Sequence, residues 1–193
     1  MPEDADPTPR FSFTFDPSLA AFNVPLKTFL SSHEQYDAVA TGALLFNADG
    51  RLLIIRRASH DSMPDRWEIP GGACDNEDDT ILHGLAREVW EESGLVISSI
   101  VRCVGPDDGT VFFTRRGLRV CKFTFLATVV EATTVRLDPN EHQSYLWVTE
   151  DEFVTRRAFS GGSMVGLTFT TPAQEATISE GFRLHGATAA TSG

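Results

Sequence analysis

The chain has 193 residues, with 27 acidic against 16 basic side chains and a net charge of −11. That length suits one domain with flanking extensions, whose core needs no disulfide staples. The charge excludes a surface built to track nucleic-acid polymers or anionic membranes, both of which call for Lys and Arg, while a small phosphate stays admissible where a cation lies between. Three widely spaced cysteines, Cys74, Cys103 and Cys121, form neither a disulfide framework nor a zinc pair and read as reduced thiols. The N-terminus lacks an apolar signal core, and no run approaches the ~18 apolar residues of a membrane span, so a soluble, cytoplasmic protein is expected.

Residues 1–10 are acidic and proline-studded and read as a tail. Residues 11–37 make an N-terminal extension: Phe11–Phe15 alternates as a short strand with three aromatics on one face, and Pro25–His33 reads as a short helix opening at a proline. Ala38–Phe46 and Arg51–Arg57 are apolar, β-prone runs joined by a hairpin turn at Asn47–Gly50. Thr80–Ser93 has helical spacing and stops at Gly94. Leu95–Val104, Thr110–Thr114 and Leu118–Glu131 alternate as strands, and Ser144–Val148 is the last strand expected. Thr149–Glu152 forms a capping box, Ser160–Ser163 a Gly/Ser-rich loop, and Pro172 opens a terminal helix to about Leu184. This order predicts a mixed sheet with helices packed on it.

The helix at Thr80–Ser93 carries charges in an unfavourable place. With Ile81 at zero on a helical wheel, Leu85 lies at about 40° and Val89 at about 80°. Glu92 falls at about 20°, inside that apolar stripe, while Glu88 and Glu91 fall at about 340° and 280°. Glu88 repels Glu91 and Glu92 at i,i+3 and i,i+4, at ~0.2–0.5 kcal/mol each. All three also sit at the helix C-terminus, where the dipole favours cations by ~0.3–1 kcal/mol. A bound divalent cation reverses both penalties, and oxygen ligands point to Mg²⁺ or Mn²⁺ rather than zinc. Arg87 has an acidic partner upstream at Asp78 or Asp79, or at Glu91 one turn on. Seven of the 27 acids lie between Asp75 and Glu92, so much of the net charge is local.

Arg87-Glu-Val-Trp-Glu-Glu-Ser-Gly-Leu95, preceded by Pro70-Gly71-Gly72, resembles the signature box of the Nudix hydrolases, G-x5-E-x7-R-E-U-x-E-E-x-G-U with U a bulky apolar residue. The resemblance extends over roughly residues 38–155, including Arg66-Trp-Glu-Ile-Pro70 and Trp147-Val148 with the helix start that follows. The first half departs from the pattern: Gly72 to Arg87 is one residue too long, and Asp78 or Asp79 stands in place of the first Glu.

The resemblance implies an α/β fold of the α+β type, a Nudix-like α/β/α sandwich with a mixed β-sheet. It implies Mg²⁺ (or Mn²⁺) held by Glu88 and Glu92, with Glu91 as a further ligand or base, the Gly71 carbonyl as another ligand, and Arg87 braced beside them. It implies hydrolysis of a diphosphate in a nucleoside-diphosphate-type small molecule. Glu141, on a loop before the last strand, matches the further acid that such enzymes often supply as ligand or base. Arg57, at a strand end ahead of the box, is a candidate to meet substrate phosphate. Phe112 and Phe113 are candidates to stack a base, though one of two neighbouring strand aromatics ordinarily faces the core. A homodimer is a further expectation, with Phe11–His33 and the terminal helix as candidate interface or pocket wall. Two rival readings are a non-catalytic nucleotide-binding or interaction module on the same fold, and an isomerase, for which Cys74 is poorly placed.

Overall fold

The computed structural model describes residues 10–131 and 134–191; residues 1–9, most of the expected tail, lie outside them. Strand β1 (Thr14–Phe15) and a 3-10 turn (Pro17–Phe22) lead to helix α1 (Leu26–Ser32), then β2 (Ala38–Leu45), β3 (Leu52–Arg57) and β4 (Trp67–Glu68). Helix α2 (Ile81–Ser93) is followed by β5 (Ile97–Val104), β6 (Thr110–Phe113), β7 (Arg119–Val129) and β8 (His142–Val148). The chain closes with α3 (Glu150–Thr155), β9 (Arg157–Ser160), β10 (Ser163–Gly166) and α4 (Pro172–Thr191).

β2 is buried along nearly its whole length, as a strand covered on both faces must be. It runs parallel to β7, which in turn pairs antiparallel with β5 and β6, and β5 takes β1 in parallel on its far edge. A second sheet orders β4-β3-β8. Apolar side chains of α2 pack with one face of these strands, including Ala43, Leu53 and Phe125. Phe153 of α3 and Ile178 and Phe182 of α4 pack on the other face, with Leu44, Ile54 and Leu126. Two helical layers therefore enclose mixed sheet, the α/β/α arrangement.

Three expectations need correction. The turn at Asn47–Gly50 forms, with Gly50 N–H on Asn47 O at 3.0 Å, but β2 and β3 share only the bridge Phe46–Leu52 and part into different sheets. Both strands are apolar on both faces, so nothing in their alternation reveals that each has a more distant partner. Ser144–Val148 is not the last strand, because residues 160–163 turn a β9–β10 hairpin through Gly161 and Gly162, both at positive φ. The aromatic strand at Phe11–Phe15 is cut to two residues, yet Phe11, Phe13 and Phe15 all pack against the α2-side core. The extension is anchored further by Phe22, whose ring meets Phe123 and Phe125 edge-on at 4.8 and 5.1 Å.

α2 starts and stops where its residues dictate. The Thr80 hydroxyl accepts from the His83 N–H, and Gly94 takes the left-handed conformation (φ 69°) that ends the helix.

Candidate active site

The segment Pro70–Cys74 runs along the free edge of β2: Ala43 N–H donates to Pro70 O, Thr41 N–H to Gly72 O and Cys74 N–H to Val39 O, at 2.8–2.9 Å. Gly71 has φ 141°, and a Cβ there would lie 2.6 Å from Gly42 Cα, so only glycine fits this close approach. Its N–H donates to Glu92 Oε2 at 2.6 Å. Sequence reading assigned the Gly71 carbonyl to a metal; the contact the structure shows is made by the amide instead. The strand edge thereby fixes the C-terminal turn of α2.

Glu92 is 6% exposed, as its place inside the apolar stripe requires. Burial holds its carboxyl well above the ordinary carboxylate range, opposed by the Gly71 hydrogen bond and reinforced by the charges of Glu68, Glu88 and Glu141. Burial also raises Glu88, against the opposing pull of Arg87. Glu91 differs from its neighbours: it lies on the exposed side, with its carboxylate on Arg87 at 3.0 Å.

Arg87 resolves the irregular first half of the motif. Its Nε donates to Asp78 Oδ1 at 2.8 Å and its Nη2 to Asp78 Oδ2 at 3.0 Å, while Ala73 O, Glu88 and Glu91 take the remaining N–H groups. Asp78 also accepts from the Asp75 N–H, whereas Asp79 is exposed. Asp78 stands six residues after Gly72, as the family Glu does, so the extra residue lies between Asp78 and Arg87. These hydrogen bonds hold the guanidinium firmly protonated.

A buried ionic group behind Glu92 escaped sequence reading. His142 (2% exposed) places Nε2 3.1 Å from Glu68 Oε1 and 3.9 Å from Glu92 Oε1. Glu68 also accepts from Arg57 Nη1 at 2.6 Å, and Arg57 pairs with Asp61. Arg57, expected to meet substrate, is thus placed in internal ion pairs. Three charged or ionisable groups on strands buried among apolar neighbours were the available signal, but they are up to 85 residues apart. Glu141 is exposed at the mouth of this group, and ligand atoms of Glu92, Glu141 and His142 all lie within 4.8 Å of one another.

This donor set suits a hard divalent cation. Glu88 and Glu92 are acids kept out of water beside one another, Glu141 adds a third, and His142 Nδ1 is buried with no hydrogen-bond partner. No thiol competes: burial pushes Cys74 up to about 12 and Cys103 to about 11, which leaves both protonated and unreactive at neutral pH. An isomerase that needs a reactive Cys74 is not supported by that environment.

The NUDIX domain model matches residues 37–164, two-thirds of the chain. The chain belongs to the Nudix family. Among curated relatives, a MutT-like protein of Streptomyces ambofaciens is 34% identical over 122 residues, covering 63% of this chain and 70% of that one. An RNA pyrophosphohydrolase of Psychrobacter sp. (strain PRwf-1) is 43% identical over 54 residues, 28% of each chain. Among solved structures, a MutT protein from Methanosarcina mazei Go1 superposes with a TM-score of 0.51 at 26% identity, covering 79% of this chain and 94% of that one. As a Nudix hydrolase the protein is an enzyme of the pyrophosphohydrolase type, and its mixed sheet between helices is the fold of these neighbours. Among the described residues no helix is long and apolar enough to cross a membrane.

Proposed function

We propose that the protein hydrolyses the diphosphate linkage of a nucleoside-diphosphate-type small molecule with the help of Mg²⁺ or Mn²⁺ held by Glu88 and Glu92. The observation that carries this reading is the burial of Glu92 with its pKa raised, its back fixed by the Gly71 amide and its front beside Glu141. A buried acid cluster is costly unless something positive completes it. When bound, a divalent cation neutralises phosphate oxygens and lowers the pKa of a ligated water.

The remaining work falls to the chain itself. Arg87, tied to Asp78, sets the angle of Glu88 against the Gly72 loop. His142 and the Arg57–Glu68 pair close the rear of Glu92 to solvent. Glu141 is open to water and adjacent to Glu92, so it is better placed to take the proton of the attacking water than Glu91, whose carboxylate Arg87 occupies. The irregular motif, the basis for the non-catalytic reading, retains its brace through Asp78, and no other feature favours that reading.

Purified protein with Mg²⁺ should hydrolyse at least one member of a panel of ADP-ribose, NADH, CoA, nucleoside triphosphates and dinucleoside polyphosphates, and chelator should abolish the turnover. Hydrolysis indifferent to chelator would overturn the metal assignment. A sharper local test is Gly72→Ala. A Cβ there would lie 2.7 Å from Glu88 Cδ, so the carboxylate must swing away. Mn²⁺ affinity should fall about 10- to 100-fold while the thermal midpoint changes little, the range seen when a ligand's support is disturbed. Unchanged affinity would remove Glu88 from the ligand set.

A further inference from the structure

Lys122 lies on β7 directly opposite Ala40 of β2 and Thr110 of β6. Its neighbours Cys121 and Phe123 point into the core beside α2, so Lys122 points to the opposite face of the sheet. There its Cε lies only 3.1 Å from where a Cβ on Gly42 would be, next to the Ile69 side chain. The lysine is half-buried, and among the described residues it has no carboxylate partner and no side-chain hydrogen bond. That is unusual for a partly desolvated ammonium group in a chain with a net charge of −11. The two other cations bordering the site are engaged: Arg57 by Glu68 and Asp61, Arg87 by Asp78, Glu88 and Glu91.

Its position relative to the acids is set by two glycines. Gly42 touches Lys122 on one side and Gly71 on the other, and Gly71 holds Glu92. Lys122 therefore stands across one backbone-to-backbone contact from the carboxylate cluster, on the sheet face that a substrate reaching those acids must approach. Phe112 pairs with Val120, two residues before Lys122, and shares its face, while Phe113 projects from the other. Both rings are exposed, at 41% and 67%, contrary to the expectation that one would face the core. The tip of the β6–β7 hairpin reaches back over this face, where Arg115 Nη2 donates to Ser62 O at 3.3 Å in the loop after Arg57.

We propose that Lys122 and Phe112 form the nucleotide-recognition face of the site, the ammonium binding a substrate phosphate oxygen and the ring stacking the base of a nucleoside diphosphate derivative. The lysine supplies the positive charge that a diphosphate needs away from the acids, and the exposed ring supplies an apolar platform beside it. This rests on the hydrolase reading of the acid cluster, but it concerns binding and is tested without turnover.

Calorimetry with α,β-methylene-ADP and with methylenediphosphonate in Mg²⁺ separates the parts, since neither ligand is cleaved at its methylene bridge. Lys122→Met should weaken both ligands about tenfold, and Lys122→Arg should restore most of the affinity. Phe112→Ala should weaken the nucleotide analogue alone. Mn²⁺ affinity without nucleotide and the thermal midpoint should stay at wild-type values in all three variants, which distinguishes a binding role from a damaged fold. Wild-type affinity for α,β-methylene-ADP in Lys122→Met, or no binding of it by the wild type, would overturn the proposal. Equal loss of both ligands in Phe112→Ala would overturn the base-stacking half. If these binding results hold while no diphosphate is ever hydrolysed, the hydrolase reading fails and the recognition face stands.

Discussion

Glu92→Gln should lose about three orders of magnitude of Mg²⁺-dependent activity while making the metal-free protein more heat-stable at pH 8. The loss follows from removing a ligand charge whose effect on the bound water and phosphate is electrostatic. The gain in stability follows from linkage. Burial raises the folded-state pKa of Glu92 above its unfolded value, and Glu88 is shifted the same way. The native state then binds more protons than the unfolded state, so stability is fully present below the ordinary carboxylate range and is lost as pH rises through the raised values. Gln keeps the oxygen that accepts from the Gly71 amide but has no charge to bury. Thermal melts in chelator should show the variant above the wild type at pH 8, with the difference closing near pH 5. Added Mg²⁺ should raise the wild type and leave the variant nearly unmoved. A variant less stable than the wild type at pH 8 in chelator would mean that Glu92 is satisfied without a cation.

Arg87→Ala should be the most destabilising single change near the site. The guanidinium is largely buried and joins α2 to the loop before it through Asp78, whose side chain is only 6% exposed, and through Glu88. Removing one partner of a buried ion pair leaves an uncompensated charge and costs about 3–5 kcal/mol. For a chain of this length that is a fall in Tm of roughly 6–20 °C. Arg87→Lys keeps the charge but cannot reproduce the fork on Asp78, so it should fall between. Asp79→Asn should change stability by less than about 0.5 kcal/mol, because that side chain is exposed and outside the brace. Equal losses from Asp78→Asn and Asp79→Asn would contradict this arrangement.

The parts legible in the sequence were those set by local chemistry. α2 announced itself through Thr80, a 3.6-residue apolar stripe and Gly94, and the same stripe showed that Glu92 must be buried. The choice between Asp78 and Asp79 was not legible, because both spacings were compatible with one insertion; only the loop that brings Asp78 onto Arg87 decides it. The separation of β2 from β3 was hidden for a different reason. Their turn is sound, but each strand has a stronger partner about 80 to 100 residues away, and loop geometry carries no record of that pairing. The Glu68–His142–Arg57 group was likewise invisible, since its members are joined by sheet register rather than by spacing along the chain. Lys122 and Phe112 look like ordinary strand residues until the β6–β7 register puts them on one face.

The most direct test is an anomalous difference map from crystals of the protein grown with Mn²⁺. A peak bonded by carboxylate oxygens of Glu88 and Glu92, with Glu141 alongside, is the expected result. A map in which Mn²⁺ binds elsewhere, or nowhere, while Glu92 stays buried on the Gly71 amide would contradict the account at its centre.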